Sequence, residues 1–419
     1  MAEAKEPAAV PGAKPRIEGE VLPPPSMRIG PLRWLRENLF SSWYNTLLTL
    51  LALWILYAIG KGVLTWAFTE ASWAVIPPNL KLLLVGFYPE GELWRVWVVL
   101  YLGLGLLGLS AGLWGGLLRE AAVVVGSAIA LLLGILLLTG WGERLLIGGL
   151  ALVLFGSIGL GWLVRSQGQS VKPWKRAALV LWLLLPVAVV LLLGGVPGLQ
   201  VLKSVPTTQW GGLLLTFTLA IVSIVLCFPL GVLLALGRQS ALPVIRWMSI
   251  FYIEIIRGVP LVTVLFMASL MLPLFLPSGW RVDHVIRAIT AFTLFTAAYI
   301  AENVRGGLQA VPRGQIEAAR ALGLSPLLTT ALIVLPQALR AVIPANVGQF
   351  ISLFKDTSLV FIVPLLDFLG IALDVIENPK WGGPAREMLL FVALVYWFFT
   401  YFMSHMSRRL EKALGVGER

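Results

Sequence analysis

The sequence predicts an all-α, polytopic membrane protein with about ten transmembrane helices, and three observations carry that expectation. Only 13% of the 419 residues are charged, where a soluble globular chain would carry about 25%. Mean hydropathy is +0.88. The apolar runs exceed the roughly 18 residues that mark a spanning helix and do not alternate, which argues against a strand barrel. The net charge of +11 would suggest nucleic acid in a soluble protein. On a chain this apolar it reflects basic cytoplasmic loops, and no nucleic-acid partner is expected.

Residues 1–40 read as a cytoplasmic N-terminus, disordered over the proline-rich first 30 and amphipathic in GPLRWLRENLFSSWYN. There Trp34, Leu35, Leu39 and Phe40 can lie in the interface, with Arg33 and Arg36 near anionic headgroups; a plain basic anchor is the alternative. The first apolar run begins too late for a cleaved signal. Ten spans follow, at roughly 45–66, 94–116, 120–139, 144–164, 176–195, 211–237, 247–276, 285–308, 328–365 and 386–406. The ninth, being long, is expected to divide at Pro344 into a short helix, a break and a second piece. The outer loop 67–93 has a partly apolar middle and is expected to lie flat on the outer surface between its aromatic residues. Residues 366–385, with Asp367, Asp374 and Glu377, read as a solvated outer loop or a docking surface.

Charge orients the set. With the N-terminus cytoplasmic, most of the 32 basic residues fall in inside segments, and an even number of spans returns the C-terminus to the same side. Composition shifts near residue 200. Residues 41–200 read as accessory helices, Leu/Gly/Trp-rich and nearly free of charge within the spans. Residues 205–410 place Glu254, Arg257, Glu302, Arg340, Lys355 and Asp356 near the membrane, and function is expected there because such residues are costly in hydrocarbon.

Four stretches carry the chemistry. Between Pro312 and Pro326 lies QIEAARALGL, a short amphipathic helix with Gly323 as its stop. Lying between two spans, it must sit outside the hydrocarbon, as a handle for a soluble partner or as an ordinary interfacial loop. In YIEIIRGVP, Glu254 and Arg257 are spaced to pair on one helix face, and Gly258 and Pro260 mark a break. AYIAENVRGG repeats the spacing with Glu302 and Arg305, so the two together suggest a cytoplasmic rim or gate, with snorkelling charges as the alternative. In FKDTSLVFIVP, Asp356, Thr357 and Ser358 can line a solute path, or Lys355 and Asp356 can neutralise each other. GxxxxGK[ST] and HExxH are missing from the sequence. Cys227 reads as a buried small apolar residue, and His284 and His405 offer no metal cluster.

Glu317-Ala318-Ala319, with Gly323 six residues after Glu317, then LPQALR from Leu335 to Arg340 and Pro344, resemble the cytoplasmic EAA loop of permease subunits from binding-protein-dependent ABC importers. YIEIIRGVPLV, AYIAENVRGGLQAVPRGQIEAARALGL and FKDTSLV look like the polar amino acid branch, although GVP stands where GTP is commoner and AENVRGG where AEIFRGG is. The long form, with NLKLLLVGFYPEGELWRVW, is similar to the M subunit of general L-amino-acid importers. The resemblance implies a type I ABC importer permease core in the C-terminal half, with Thr216 in its first span and a coupling segment over 309–326. Arg313, Glu317, Ala318, Ala319, Arg320 and Gly323 would couple to the ATPase. It also implies no catalysis on this chain, ATP and Mg on two partner ATPases, a second permease subunit or a second copy, an extracytoplasmic binding protein, an amino acid substrate and the bacterial inner membrane. Two other classes compete with this: a stand-alone secondary transporter using Glu302 or Asp356 as an ion relay, and a membrane scaffold.

Overall fold

The computed structural model describes residues 31–139, 144–167, 170–196, 198–199, 201–277 and 282–415. The expectation for residues 1–30 lies outside them. By packing, the chain divides into Met1–Ala71 and Ser72–Arg419.

In the first unit, α1 (Pro31–Asn38) leads into α2 (Trp43–Thr65). Ser42 caps α2, its hydroxyl accepting from the Asn45 N–H, and the Thr49 hydroxyl reaches back to the Leu39 carbonyl, 2.8 Å. α2 is apolar all round and exposes Trp43, Leu47, Trp54 and Tyr57, the pattern of a helix solvated by lipid.

The second unit begins with the segment predicted to lie flat on the outer surface. It forms α3 (Ile76–Val85), started by Pro77 and Pro78 and stopped by Gly86. Its apolar side is buried in protein: Val75 and Leu83 share a core with Phe368, Ile371, Ala372, Val375, Met388 and Val392. An amphipathic helix gains by burying its apolar stripe, and here another part of the same chain supplies the cover.

Four long helices follow: α4 (Leu93–Trp114), α5 (Gly116–Thr139), α6 (Arg144–Ser166) and α7 (Lys172–Gly194). α4 and α6 cross at Gly112 and Gly161, so closely that a Cβ on Gly112 would sit 2.7 Å from the Gly161 Cα. Small residues allow that approach, which in lipid gains packing that larger side chains would forbid. Trp182 Nε1 donates to Ser110 Oγ, 3.0 Å, fixing α7 against α4.

Next come α8 (Gly212–Arg238), α9 (Pro243–Gly258) and α10 (Leu261–Phe266). The chain bends by 107° between α9 and the stretch Leu261–Phe275, at the break that Gly258 and Pro260 predict. Pro260 forces Val259 into extended backbone and removes a helical N–H. A π-turn at Met267–Met271 precedes α11 (Leu272–Phe275). Pro273 cannot donate to the Ser269 carbonyl four residues back, and buried Arg287 donates to that oxygen instead.

α12 (His284–Ala310) is the central span and packs against α8, α9 and the later helices. After α13 (Arg313–Ala321) and α14 (Pro326–Thr329), a π-turn at Thr330–Val334 precedes α15 (Leu335–Asp356). The expected division at Pro344 does not occur, since α15 runs through it. Two residues beyond, the Asn303 amide of α12 donates to Asn346 Oδ1, 3.1 Å, and neighbouring helices hold the chain helical despite the lost N–H. The irregular places are the π-turn before Pro336 and a 3₁₀ stretch, Thr357–Ile362, at the other end. α16 (Phe368–Glu377) and α17 (Ala385–Leu414) complete the chain.

Among the described residues nine helices are long and apolar enough to cross a membrane, or ten if the bent α9–α11 stretch is one broken span. One core joins both halves of the second unit: Tyr88 and Leu193 pack with Leu215, Leu219, Leu261, Phe292 and Val360. The Tyr88 hydroxyl donates to the Leu193 carbonyl, 2.8 Å, and burial holds its phenol above the ordinary range. Buried Arg95 pairs with Glu92, 2.9 Å, and donates to the Lys203 carbonyl, 2.8 Å.

Candidate functional site

α13 follows directly from its residues. Pro312 precedes its first turn, and a Schellman motif ends it. The Leu324 N–H reaches the Ala319 carbonyl at 3.1 Å, and the Gly323 N–H reaches the Arg320 carbonyl at 2.9 Å. Gly323 has φ +78°, a conformation glycine adopts without a Cβ penalty. The two faces then separate. Ala319 is buried and Ile316 half-buried, packed on a core with Leu308, Val311 and Val334. Arg313, Glu317, Ala318 and Arg320 are exposed on the other side. Ala319, expected as a coupling residue, is buried against its own chain. At the tip of this element Leu322 is 82% and Leu327 79% exposed; the sequence reading places Leu322 on the apolar face with Ala318 and does not single out Leu327. Both lie beside the charged helix at its exposed end.

The same end of the bundle carries an ionic hub. Glu302 on α12 accepts from Arg305 Nε at 2.9 Å and faces Arg238 of α8 at 3.5 Å and Arg257 of α9 at 3.7 Å. Arg238 also pairs with Glu254, 2.9 Å. The expected pairing of Glu254 with Arg257 is therefore replaced: each bonds across helices, because α8, α9 and α12 converge here and bring partners closer than the next turn does. Arg257 further lies over the Tyr299 ring, 5.5 Å from its centroid. Glu302–Arg305 forms as predicted. Arg238 is the member that sequence reasoning missed; its position as the last residue of a span was the only signal. Arg340 of α15 donates to the Leu414 carbonyl, 3.1 Å, tying the end of α17 to this face.

Glu302→Gln leaves three guanidinium groups around a neutral amide. We expect an inactivation midpoint lower by the equivalent of about 1–2 kcal/mol, these groups being partly exposed. A double-mutant cycle with Arg305→Gln should show coupling of about 1 kcal/mol. Strict additivity in that cycle would show that the hub contributes nothing beyond its separate charges.

In the FKDTSLV stretch the three residues expected to line a path differ in burial. Thr357 is fully buried, its hydroxyl donating to the Phe354 carbonyl at 2.7 Å. The 3₁₀ turn that begins there folds it into the bundle, so it packs and lines no surface of the chain. Asp356 and Ser358 are half-buried, Ser358 donating to the Lys355 carbonyl at 2.8 Å.

At the opposite end lies a polar cluster that the reading of 366–385 as an exposed loop did not foresee. Asp367 is fully buried and caps α16, accepting from Gly370 N–H at 2.9 Å, Leu369 N–H at 3.3 Å and the Tyr396 hydroxyl at 3.1 Å. Thr216 accepts from the Phe368 N–H, 3.1 Å, and the Gly212 N–H donates to the Leu366 carbonyl, 2.9 Å. The signal for the cap was present as Asp followed by an apolar helical run. Asp374 and Glu377 are exposed, as either reading of that loop requires.

Burial pushes the Asp367 carboxyl up from its ordinary 3.8 to about 6, against the backbone N–H bonds and Tyr396, which pull it down. Below 3.8 the group is protonated whether folded or not, and its contribution is whole. As pH rises from there only the unfolded chain gives up the proton, so stability falls until the folded site ionises near pH 6. The loss is on the order of 3 kcal/mol. Asp367→Asn keeps the cap and removes the charge, so its thermal inactivation should lack this fall between pH 4 and 6. A slope unchanged from the parent would assign the effect elsewhere.

Among the described residues no three His, Cys, Asp or Glu side chains are grouped to hold a metal ion. The family model described as "Binding-protein-dependent transport system inner membrane component" matches residues 227–416, which include the hub, α13 and α15 to α17. The chain is 36% identical over 399 residues to the "Inner membrane amino-acid ABC transporter permease protein YhdY" of Escherichia coli (strain K12), covering 92% of this chain and 93% of that one. It is 39% identical over 424 residues to the "Glutamate/glutamine/aspartate/asparagine transport system permease protein BztC" of Rhodobacter capsulatus, covering 94% and 95%. The shorter "Probable glutamine ABC transporter permease protein GlnP" of Bacillus subtilis is 38% identical over 202 residues, covering 48% of this chain and 91% of its own. With two relatives matched over nearly their full lengths, the chain belongs to the binding-protein-dependent transport system inner membrane component family and is a multi-pass, inner-membrane permease subunit of an ABC-type amino-acid importer.

Proposed function

We propose that this subunit forms half of a translocation path for polar amino acids and is driven by a cytoplasmic ATPase docked on α13. The observation that carries this is the exposed face of Arg313, Glu317, Ala318, Arg320 and Leu322 on a helix clamped to the core by Ala319. A transporter working alone has no use for such a face. The family role leaves ATP and Mg to a separate ATPase subunit. The assembly we infer has two permease chains, either two copies or a homologous pair, two ATPases and an extracytoplasmic binding protein. Both termini are cytoplasmic in this reading, in keeping with the basic inside segments.

Residues 205–410 are the permease core in this reading, with the coupling segment at 309–326. Residues 41–200, including the outer segment 67–93, are accessory, and 1–40 is a cytoplasmic tail. The Glu302 hub is the inner rim: α8, α9 and α12 can separate there only by breaking its ion pairs. Glu254, Arg257, Glu302 and Arg305 thus belong to a gate, and Asp356 and Ser358 remain the path-lining candidates. The substrates proposed are glutamate, glutamine, aspartate and asparagine, by analogy with the name of the Rhodobacter relative.

Purification in mild detergent, followed by reconstitution and uptake assays, tests the proposal. We expect an ATPase and a permease partner to copurify, with uptake of these amino acids dependent on ATP and on the binding protein. Uptake by this chain alone, driven by an ion gradient, would establish the secondary-transporter reading instead.

A further inference from the structure

We propose that the basic end of the α4–α7 bundle binds the headgroup of an anionic phospholipid. Between Arg165 and Arg176 the sequence holds Lys172 and Lys175 and no acidic residue. In sequence they flank residues of one small apolar cluster, in which Leu113 and Trp114 of α4, Val164 of α6 and Val171 and Ala178 at the start of α7 pack together. Two of the cations converge on neighbouring residues at the end of α4. Lys175 Nζ lies 5.7 Å from the Trp114 ring centroid, and Arg165 Nη1 lies 3.1 Å from where a Cβ on Gly115 would stand.

Among the described residues, none of Arg165, Lys172, Lys175 and Arg176 has a carboxylate partner. The nearby Glu120, at the start of α5, is already paired with Arg409 of α17 at 3.4 Å. Grouped cations without counter-charge attract anions, and clustered Lys and Arg at the end of spanning helices are a recognised feature of anionic lipid sites.

The surroundings select a lipid over a free anion. Trp162 and Trp174 are exposed beside the cations, at the level where indole rings prefer the membrane interface. Leu160 on α6 and Leu179 and Leu183 on α7 are exposed farther from the basic helix ends and offer an apolar wall for acyl chains.

The test is native mass spectrometry of the purified complex after equilibration in mixed phosphatidylglycerol and phosphatidylcholine. The parent should retain phosphatidylglycerol preferentially. The variant Arg165→Gln/Lys172→Gln/Lys175→Gln/Arg176→Gln should lose at least tenfold of that retention, each neutralised residue being worth roughly fivefold at a membrane surface. If that variant fails to insert, Lys172→Gln/Lys175→Gln keeps charge at both flanks and should still lose retention several-fold. Excess inorganic phosphate should not displace the lipid. Equal retention of both lipids by the parent, unchanged retention in the variants, or displacement by phosphate would each overturn the proposal.

Discussion

Gly86→Ala should cost the folded protein about 3 kcal/mol or more, among the largest effects of any single methyl group in this chain. Gly86 has φ +64° and Gly212 has φ +59°, and the two backbones pass each other where α3 ends and α8 begins. A Cβ on Gly86 would overlap the Gly211 Cα and lie 2.7 Å from its nitrogen; one on Gly212 would overlap the Leu83 carbonyl. The obstructing atoms are backbone, so no rotamer change can relieve the clash. The positive φ of Gly86 with ψ −138° is a backbone region that side-chain-bearing residues rarely adopt, costing about 1–3 kcal/mol, and overpacking typically costs about 1–3 kcal/mol. Displacing α3 would uncover Val75, Leu83 and Tyr88 and pull Gly212 away from the Leu366 carbonyl, loosening the Asp367 cap. The readout is the inactivation midpoint and the yield of monodisperse protein in detergent. Gly91→Ala, with open space around it, is the control and should be near neutral. If Gly86→Ala behaves like that control, the interlock between the outer segment and the first core span is unimportant.

The second large effect is at α13, and it should appear in assembly and not in folding. Leu322 is exposed at the turn, so Leu322→Asp should change the stability of the chain by no more than about 0.5 kcal/mol. In the proposed docking the same change would place a charge in an apolar contact. Truncating a central interface residue typically costs 2 kcal/mol or more, roughly thirtyfold in affinity. Glu317→Lys reverses the charge on the neighbouring face and should add to the loss. Gly323→Pro removes the N–H that closes the Schellman motif and misdirects the chain into α14, so it should abolish transport even with the exposed side chains of the proposed docking face intact.

These two regions were unequally legible in the sequence. α13 could be placed because its signals are local: prolines outside both ends, a glycine stop and an amphipathic pattern between. The bend after α9 was legible for the same reason, since Gly258 and Pro260 act on their own neighbours. Pro344 shows where local reasoning stops. Its lost hydrogen bond is real, but the packing of α12 on α15, with Asn303 on Asn346, outweighs it.

The ion pairs divide in the same way. Glu302–Arg305 lies within one helix and forms, whereas Glu254 and Arg257 are drawn to Arg238 and Glu302 by a convergence of three helices that no short window contains. Asp367 is the extreme case. Its cap is local, but its burial depends on Tyr396, 29 residues away, and on the Thr216 region, about 150 residues before it. The outer segment 67–93 was recognisable as amphipathic, yet its cover came from the other half of the chain.

The measurement that bears most directly on the central claim is ATPase copurification with this subunit carrying Leu322→Asp and Glu317→Lys together. We expect the variant to insert and to keep the parent's inactivation midpoint within a few degrees. It should lose the ATPase on washing in mild detergent and show no ATP-dependent uptake. Retention of the ATPase at the parent's level, with uptake intact, would contradict the assignment of α13 as the element through which ATP drives this permease.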